Sequence, residues 1–257
     1  MIHIAMLSGG RDSTDMVFQM LERGMPLDYI IFTNTQSEFP EMYAYLYYDV
    51  SKKLREYGKE LTVLHHKRGE SFEDWCFGKI KRGKRKGMIR GIPMVTQPCY
   101  WKRESKVRPF EKFLKDNNIT NYVQYIGYTY SERDRAKVKD KNQAFPLIDF
   151  EMCEADVDRH LKKINLVNPL YQWFERTGCY FCPYQRIRGF YVIWKKYTNQ
   201  WAHMKDAEHR LNTLIDDGIQ VLNPQWNIRY SMDEMEHAFV NGIILHEIEA
   251  PVACECG

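Results

Sequence analysis

No apolar run in the 257 residues approaches the roughly 18 that a membrane-spanning helix needs, so no membrane is expected among the partners. The opening MIHIAMLSGG turns glycine-rich too soon for a secretory leader, and a cytoplasmic location is expected. There is no internal repeat, no low-complexity stretch and no acidic tail, since 37 Lys and Arg against 34 Asp and Glu leave a formal charge of +3. That balance leaves a nucleic-acid partner open without demanding one. The eight histidines include no H-E-x-x-H, and the kinase-type G-x-x-x-x-G-K-[ST] loop is missing. The seven cysteines are an odd number in a chain without an export signal, which disfavours a disulfide framework and favours metal or redox chemistry.

What is present is a folded composition, 44% hydrophobic and 28% charged. At roughly 150 residues per domain the length suits one or two domains. The expected division is 1–150, an α/β nucleotide-binding domain, and 151–257, a cysteine-containing loop and helical region packed on it. Apolar runs at Ile2–Leu7, Asp28–Asn34, Leu61–His65 and Tyr122–Tyr128 read as strands. Helical patterns lie between them, from Asp12 to Gly24 and from Pro40 to about Gly58. Alternation of this kind predicts a doubly wound, mostly parallel α/β sheet. Beyond residue 150 helices are expected from Ile187 to Tyr197, from about Gln200 to Asp216, and more weakly from Trp226 to Gly242. The aromatic stripe of the first reads as core in preference to a base-stacking surface.

Ser8-Gly9-Gly10-Arg11-Asp12-Ser13-Thr14 falls between the first strand and the first helix. Two glycines let the backbone turn its N–H groups inward, where the positive end of the helix faces the same point. A pyrophosphate-sized anion fits there, with the hydroxyls of Ser8, Ser13 and Thr14 as further donors. The competing reading is a tight turn and nothing more.

With this loop, four further segments make the sequence resemble the PP-loop ATP pyrophosphatases, in the branch similar to phosphoadenosine phosphosulfate (PAPS) reductases. They are Asn34-Thr35-Gln36-Ser37-Glu38-Phe39-Pro40-Glu41; Gly127 with Glu132 and Arg135; Asn168-Pro169-Leu170-Tyr171 before Gly178-Cys179-Tyr180-Phe181-Cys182-Pro183; and Cys99 with Lys106 and Pro109. Position 11 is Arg where the family usually has Lys, and Thr129 stands where PAPS reductases usually have Arg. The loop is whole, as in members that cleave ATP. The tail Cys254-Glu255-Cys256-Gly257 resembles the reductases' E-C-G ending with an added cysteine.

The resemblance implies ATP with Mg2+ on residues 8–14, with Asp12 and Ser13 in catalytic roles and Arg133 and Arg135 on substrate phosphate. For the two arginines a solvated helix start is the alternative. It implies a [4Fe–4S] cluster on Cys99, Cys179 and Cys182, or sulfur carried by these thiols. Zinc on Cys179, Cys182, Cys254 and Cys256 is the alternative. Cys76 and Cys153 read as buried inert thiols, and His65-His66 as packing and surface. The implied activity is ATP-dependent sulfur transfer, with a sulfur-donor protein or thiol reductant as partner. The branch resembles the enzymes of DNA phosphorothioation, which points to a DNA or RNA acceptor. Lys79–Arg90 (KIKRGKRKGMIR), with seven cations and no acid, would grip its backbone. Its glycines predict a mobile loop, and a solvated loop without a partner is the plain alternative. Two other activities remain open: a PAPS or adenylylsulfate reductase releasing sulfite, and a non-catalytic nucleic-acid-binding member of the fold.

Overall fold

The computed structural model describes residues 1–66, 71–94, 99–137 and 141–246. Among the described residues the chain forms two compact units, one of Met1–His65 with Ser105–Gly178, the other of His66–Glu104 with residues 179–246. The second unit therefore takes in an early excursion of the chain, and residues 151–178 belong with the first.

The first unit is built on β1 (Ile2–Met6), α1 (Arg11–Glu22), β2 (Tyr29–Asn34), α2 (Pro40–Ala44), α3 (Ser51–Glu56) and β3 (Leu61–His65). A π-helical turn, Tyr45–Val50, joins α2 to α3. The strands align in the order β3-β2-β1-β4-β5, every pair parallel, where β4 is Tyr122–Tyr125 and β5 is Gln143–Ala144. This is the expected doubly wound α/β sheet. Its strands are apolar because both faces are covered. On one face Ile4 and Ile31 pack with Phe110, and Phe113 and Leu114 extend that layer. The chain winds outward from β1 through β2 to β3, then resumes at β4 on the other side of β1. The carboxyl ends of β1 and β4 thus flank a topological switch point, where open α/β sheets take their ligands.

In the second unit, α4 (Phe72–Phe77) and α5 (Tyr100–Lys102) precede α6 (Arg108–Asp116), α7 (Pro146–Asp149) and α8 (Glu154–Lys163), which belong to the first unit. The second unit closes with α9 (Ile187–Lys196), α10 (Thr198–Asp216) and α11 (Met232–Val240). Phe190 and Ile193 of α9 are fully buried, and Tyr191 and Trp194 pack on Phe239 of α11. Phe190 and Tyr197 of the stripe are core, as expected, while Trp194 is half-buried and Tyr191 exposed. Among the described residues no helix is long and apolar enough to cross a membrane.

The Lys79–Arg90 segment differs from its expectation. It is a hydrogen-bonded hairpin rather than an unstructured loop. Lys79 pairs antiparallel with Ile89, Ile80 N–H donates to Met88 C=O at 2.8 Å, and Gly87 N–H donates to Ile80 C=O at 2.9 Å. Ile89 is buried and bridges in parallel to Val221. Lys81, Arg82, Lys84, Arg85 and Lys86 at the tip are all exposed.

Candidate active site

β1 ends in a tight bend whose geometry depends on Gly9, at φ +80°, where an added Cβ would stand 2.3 Å from Met42 Sδ. Gly10 is the N-cap of α1 and offers no side-chain cap, so the first-turn N–H groups are left for other acceptors. Ser13 braces the bend: its Oγ accepts from Ser8 N–H at 3.1 Å, lies 2.9 Å from Ser8 Oγ, and donates to Gly10 C=O at 3.1 Å. From β4, Gly127 comes so close that a Cβ there would lie 2.7 Å from the Asp12 backbone. Glycine at 127 is thus what lets the two strand ends meet.

The segment after α8 holds the bend from behind. Asn168, buried, donates from Nδ2 to Gly9 C=O at 2.8 Å, while its Oδ1 accepts from Leu170 N–H at 3.0 Å. Tyr171 Oη accepts from Arg11 N–H at 3.0 Å. The Arg11 guanidinium forks onto both oxygens of Asp158 at 3.1 and 3.2 Å and lies 4.6 Å over the Tyr171 ring. Arg11, expected to bind phosphate, is paired with Asp158 of α8 in this structure. Asp158 is a site-building residue that the sequence reading missed, with no local signal; Asn168 and Tyr171 were named only as parts of a motif, without this role.

Asp12 has an ionisable group out of balance with its surroundings. Burial, with Glu132 and Glu154 nearby, pushes its carboxyl up to about 6, against the pull of Arg11. Its Oδ1 is buried with no hydrogen-bond partner among the described residues. A hard oxygen donor in an acidic field fits Mg2+, which usually takes one or two protein carboxylates and completes its shell from phosphates and water. One turn on, Asp15 is fully buried, and burial likewise raises its carboxyl to about 6. His160 of α8 meets Asp15 Oδ1 through Nδ1 at 2.5 Å and Glu22 Oε1 through Nε2 at 3.1 Å.

The 34–41 signature forms a second rim. Thr35 Oγ1 donates to Glu38 Oε1 at 2.9 Å, and burial raises the Glu38 carboxyl, against the pull of Lys106 and Thr35. Thr129 is fully buried, donates to Glu154 Oε1 at 2.9 Å, and caps the turn that carries Glu132. Arg135 pairs with Glu132 and lies 4.4 Å over the Tyr128 ring. Arg133 is exposed and lies 4.8 Å over the Tyr130 ring. Of the two arginines, only Arg135 pairs with an acid that acts on Asp12.

The thiols form a separate constellation inside the second unit. Phe72 stacks on Phe181 at 3.4 Å and packs edge-on against Trp101 at 5.5 Å, and Trp75 meets Trp101 at 5.9 Å. This cluster gathers the segments bearing Cys76, Cys99, Cys179 and Cys182. Cys182 N–H donates to Cys179 C=O at 3.0 Å, closing the C-x-x-C turn. Cys76 is buried and its thiol is pushed well up by burial, with Cys99 adding to the effect, as suits an inert thiol. Cys153 corrects its expectation: it is half-buried and caps α8, its Sγ 3.0 Å from Asp156 Oδ2. Among the described residues no three Cys, His, Asp or Glu side chains converge to hold a metal ion. The described thiols therefore do not fit a cluster or zinc site as they stand. Cys254 and Cys256 lie outside the described residues.

No family profile matches the chain. An uncharacterized protein of Methanocaldococcus jannaschii is 26% identical over 212 residues, 75% of this chain and 40% of that protein. The chain spans about two-fifths of the length of that relative. Two solved structures are similar. One is a phosphoadenylyl-sulfate (PAPS) reductase from Candida auris, in a phosphate complex (TM-score 0.47, 18% identity, 69% of this chain and 80% of that one). The other is the U34-tRNA thiolase NcsA from Methanococcus maripaludis with its [4Fe-4S] cluster (TM-score 0.40, 18% identity, 72% of this chain and 60% of that one).

Proposed function

We propose that the chain is a PP-loop enzyme of sulfur chemistry: an ATP-dependent, pyrophosphate-releasing sulfurtransferase that acts on nucleic acid. The observation that carries the reading is the bend at the switch point. Ser8-Gly9-Gly10 meets the uncapped start of α1 beside the partnerless Asp12 carboxylate oxygen. In this reading the bend and the Ser8 hydroxyl bind the nucleotide phosphates, Ser13 braces the bend through Gly10 C=O, and Thr14, expected as a further donor, is fully buried and supports the bend from within. Asp12 would hold Mg2+, which would screen the phosphate charge. An acceptor oxygen attacks the α-phosphorus of ATP and pyrophosphate leaves. A sulfur nucleophile then displaces AMP from the adenylated acceptor. Positioning and charge neutralisation supply most of the catalysis. Arg135, paired with Glu132, orders the substrate side of the site, and Arg133 meets acceptor phosphate from its exposed turn.

Cys99, Cys179 and Cys182 are the thiols that carry sulfur. One takes the outer sulfur of an external persulfide donor, whose thiol leaves. Once this persulfide has displaced AMP, a second thiol attacks its inner sulfur, freeing the thiolated acceptor and closing a disulfide that an external thiol reduces. No step is routed through a metal on them. The exposed basic tip of the Lys79–Arg90 hairpin engages the acceptor backbone, a plain electrostatic role. The test is pyrophosphate release from ATP in the presence of DNA, tRNA or PAPS. Release that depends on nucleic acid and is lost in Ser13→Ala supports the reading. Sulfite formed from PAPS without ATP would replace it by a reductase, and salt-sensitive nucleic-acid binding with no turnover would replace it by a binding module. Iron, zinc and acid-labile sulfide are measured on the same anaerobic preparation. Stoichiometric iron and sulfide would transfer the sulfur-carrying role from the free thiols to a cluster.

A further inference from the structure

The charge of residue 11 is turned toward Asp158 and does not face the bend alone. Arg11 is forked onto Asp158 and stacked over Tyr171, so its guanidinium faces α8 and the Tyr171 ring. An anion at the bend would meet neutral donors as well as this cation. Two hydroxyls from the distant 168–177 segment stand at the bend. A carbon placed on Gly10 would lie 3.4 Å from Ser8 Oγ and 3.5 Å from both Thr177 Oγ1 and Tyr171 Oη. Three hydroxyl oxygens therefore surround the same point of the backbone, all within the first unit.

Tyr171 is fixed there from two sides. Its own oxygen accepts the Arg11 N–H, and the turn that carries it is anchored by Asn168 on Gly9 C=O. A hydroxyl that accepts from an amide at a helix start has its proton polarised for onward donation. Phosphate oxygens only accept. Tyr171 Oη and Thr177 Oγ1 lie 3.5 Å apart, at the outer limit of a hydrogen bond, so neither proton is strongly committed to the other. Both side chains are partly accessible.

Building on the reading of the bend as a phosphate site, we infer that Tyr171 and Thr177 are phosphate-contacting residues that supply neutral hydroxyl donors beside the cation at position 11. Tyr171 extends the reach of the Arg11 amide by one hydrogen bond, and Thr177 closes the rim beside it.

Titration calorimetry of Mg·ATP and of pyrophosphate, with adenosine as the phosphate-free reference, tests this on wild type, Tyr171→Phe and Thr177→Val. A hydrogen bond to a charged group contributes about a factor of ten or more. Tyr171→Phe is expected to weaken pyrophosphate and ATP by about tenfold, and Thr177→Val by several-fold, with adenosine binding unchanged. Unchanged or tighter pyrophosphate binding in a folded variant overturns the inference. So does an equal loss for adenosine, which would mark a purely structural role. If Tyr171→Phe does not fold, Thr177→Val decides by the same ratio. A wild type that binds ATP no better than adenosine would instead remove the phosphate-site reading itself, a failure visible before any variant is made.

Discussion

Asp12 shows how a binding residue works against the fold that carries it. Its ordinary carboxyl value of 3.8 rises to about 6 in the folded chain because burial and neighbouring acids penalise the charge. The folded form therefore holds this proton more tightly than the unfolded form, and stability falls as pH rises from about 4 through about 6. Above that window the ionised side chain costs on the order of 3 kcal/mol. Asp12→Asn is expected to raise the apparent stability by about that amount at pH 8 and by little at pH 4, read from urea unfolding at both values. The same variant should lose Mg2+-dependent tightening of nucleotide binding. A destabilised Asp12→Asn at pH 8 would show that the carboxylate is satisfied in the fold. Gly127 carries the opposite kind of constraint, one of space. A methyl group 2.7 Å from the Asp12 backbone must push β4 and α1 apart. Overpacking of this kind costs about 1–3 kcal/mol. Gly127→Ala is expected to lower the melting temperature and weaken ATP together; a neutral variant would refute the close approach.

Elements were legible where the physics is local and repeated. β2 is a buried parallel strand and β1 and β3 are partly covered ones, so their apolar runs stand out in the sequence. β5, two residues long and made of Gln143–Ala144, has no period to detect. The hairpin at 79–90 looked like an unstructured loop because its glycines suit either state, and its anchor, the Ile89–Val221 bridge, spans a distance no local pattern encodes. The 8–14 bend was readable from its own residues, whereas its supports at Asp158, Asn168 and Tyr171 arrive from about 150 residues later. α8 is such a support, joined to α1 by two contacts of different worth. The Arg11–Asp158 pair is about one-third exposed on both sides, and such pairs contribute at most about 1 kcal/mol. His160 lies between the fully buried Asp15 and Glu22. Removing the partner of a buried charge costs about 3 kcal/mol or more. Urea unfolding should therefore show His160→Ala losing several times the stability lost by Asp158→Ala. Equal losses would mean that the exposed fork, and not the buried contact, fastens α1 to α8.

At the scale of the molecule a net charge of +3 says little, because 37 cations and 34 acids nearly cancel. Their distribution says more. The exposed hairpin tip concentrates Lys81, Arg82, Lys84, Arg85 and Lys86, and no acid lies within Lys79–Arg90 to neutralise them. A backbone-paired stem holds these charges together, which lowers the conformational entropy lost when they meet a polyanion. Replacing all five by Gln changes the formal charge from +3 to −2, three minus five, while the stem pairs through its backbone and Ile89 and should survive. Each phosphate contact contributes about 0.7 to 0.9 to the slope of log affinity against log salt. If most of the five engage phosphates, the slope for DNA or tRNA should flatten by about 2 to 4 in the variant. Affinity at low salt should fall with it, while binding of free ATP, which needs only the bend in the other unit, stays as in wild type. A slope unchanged by the substitution would place the acceptor elsewhere on the surface and leave the hairpin as a solvated projection.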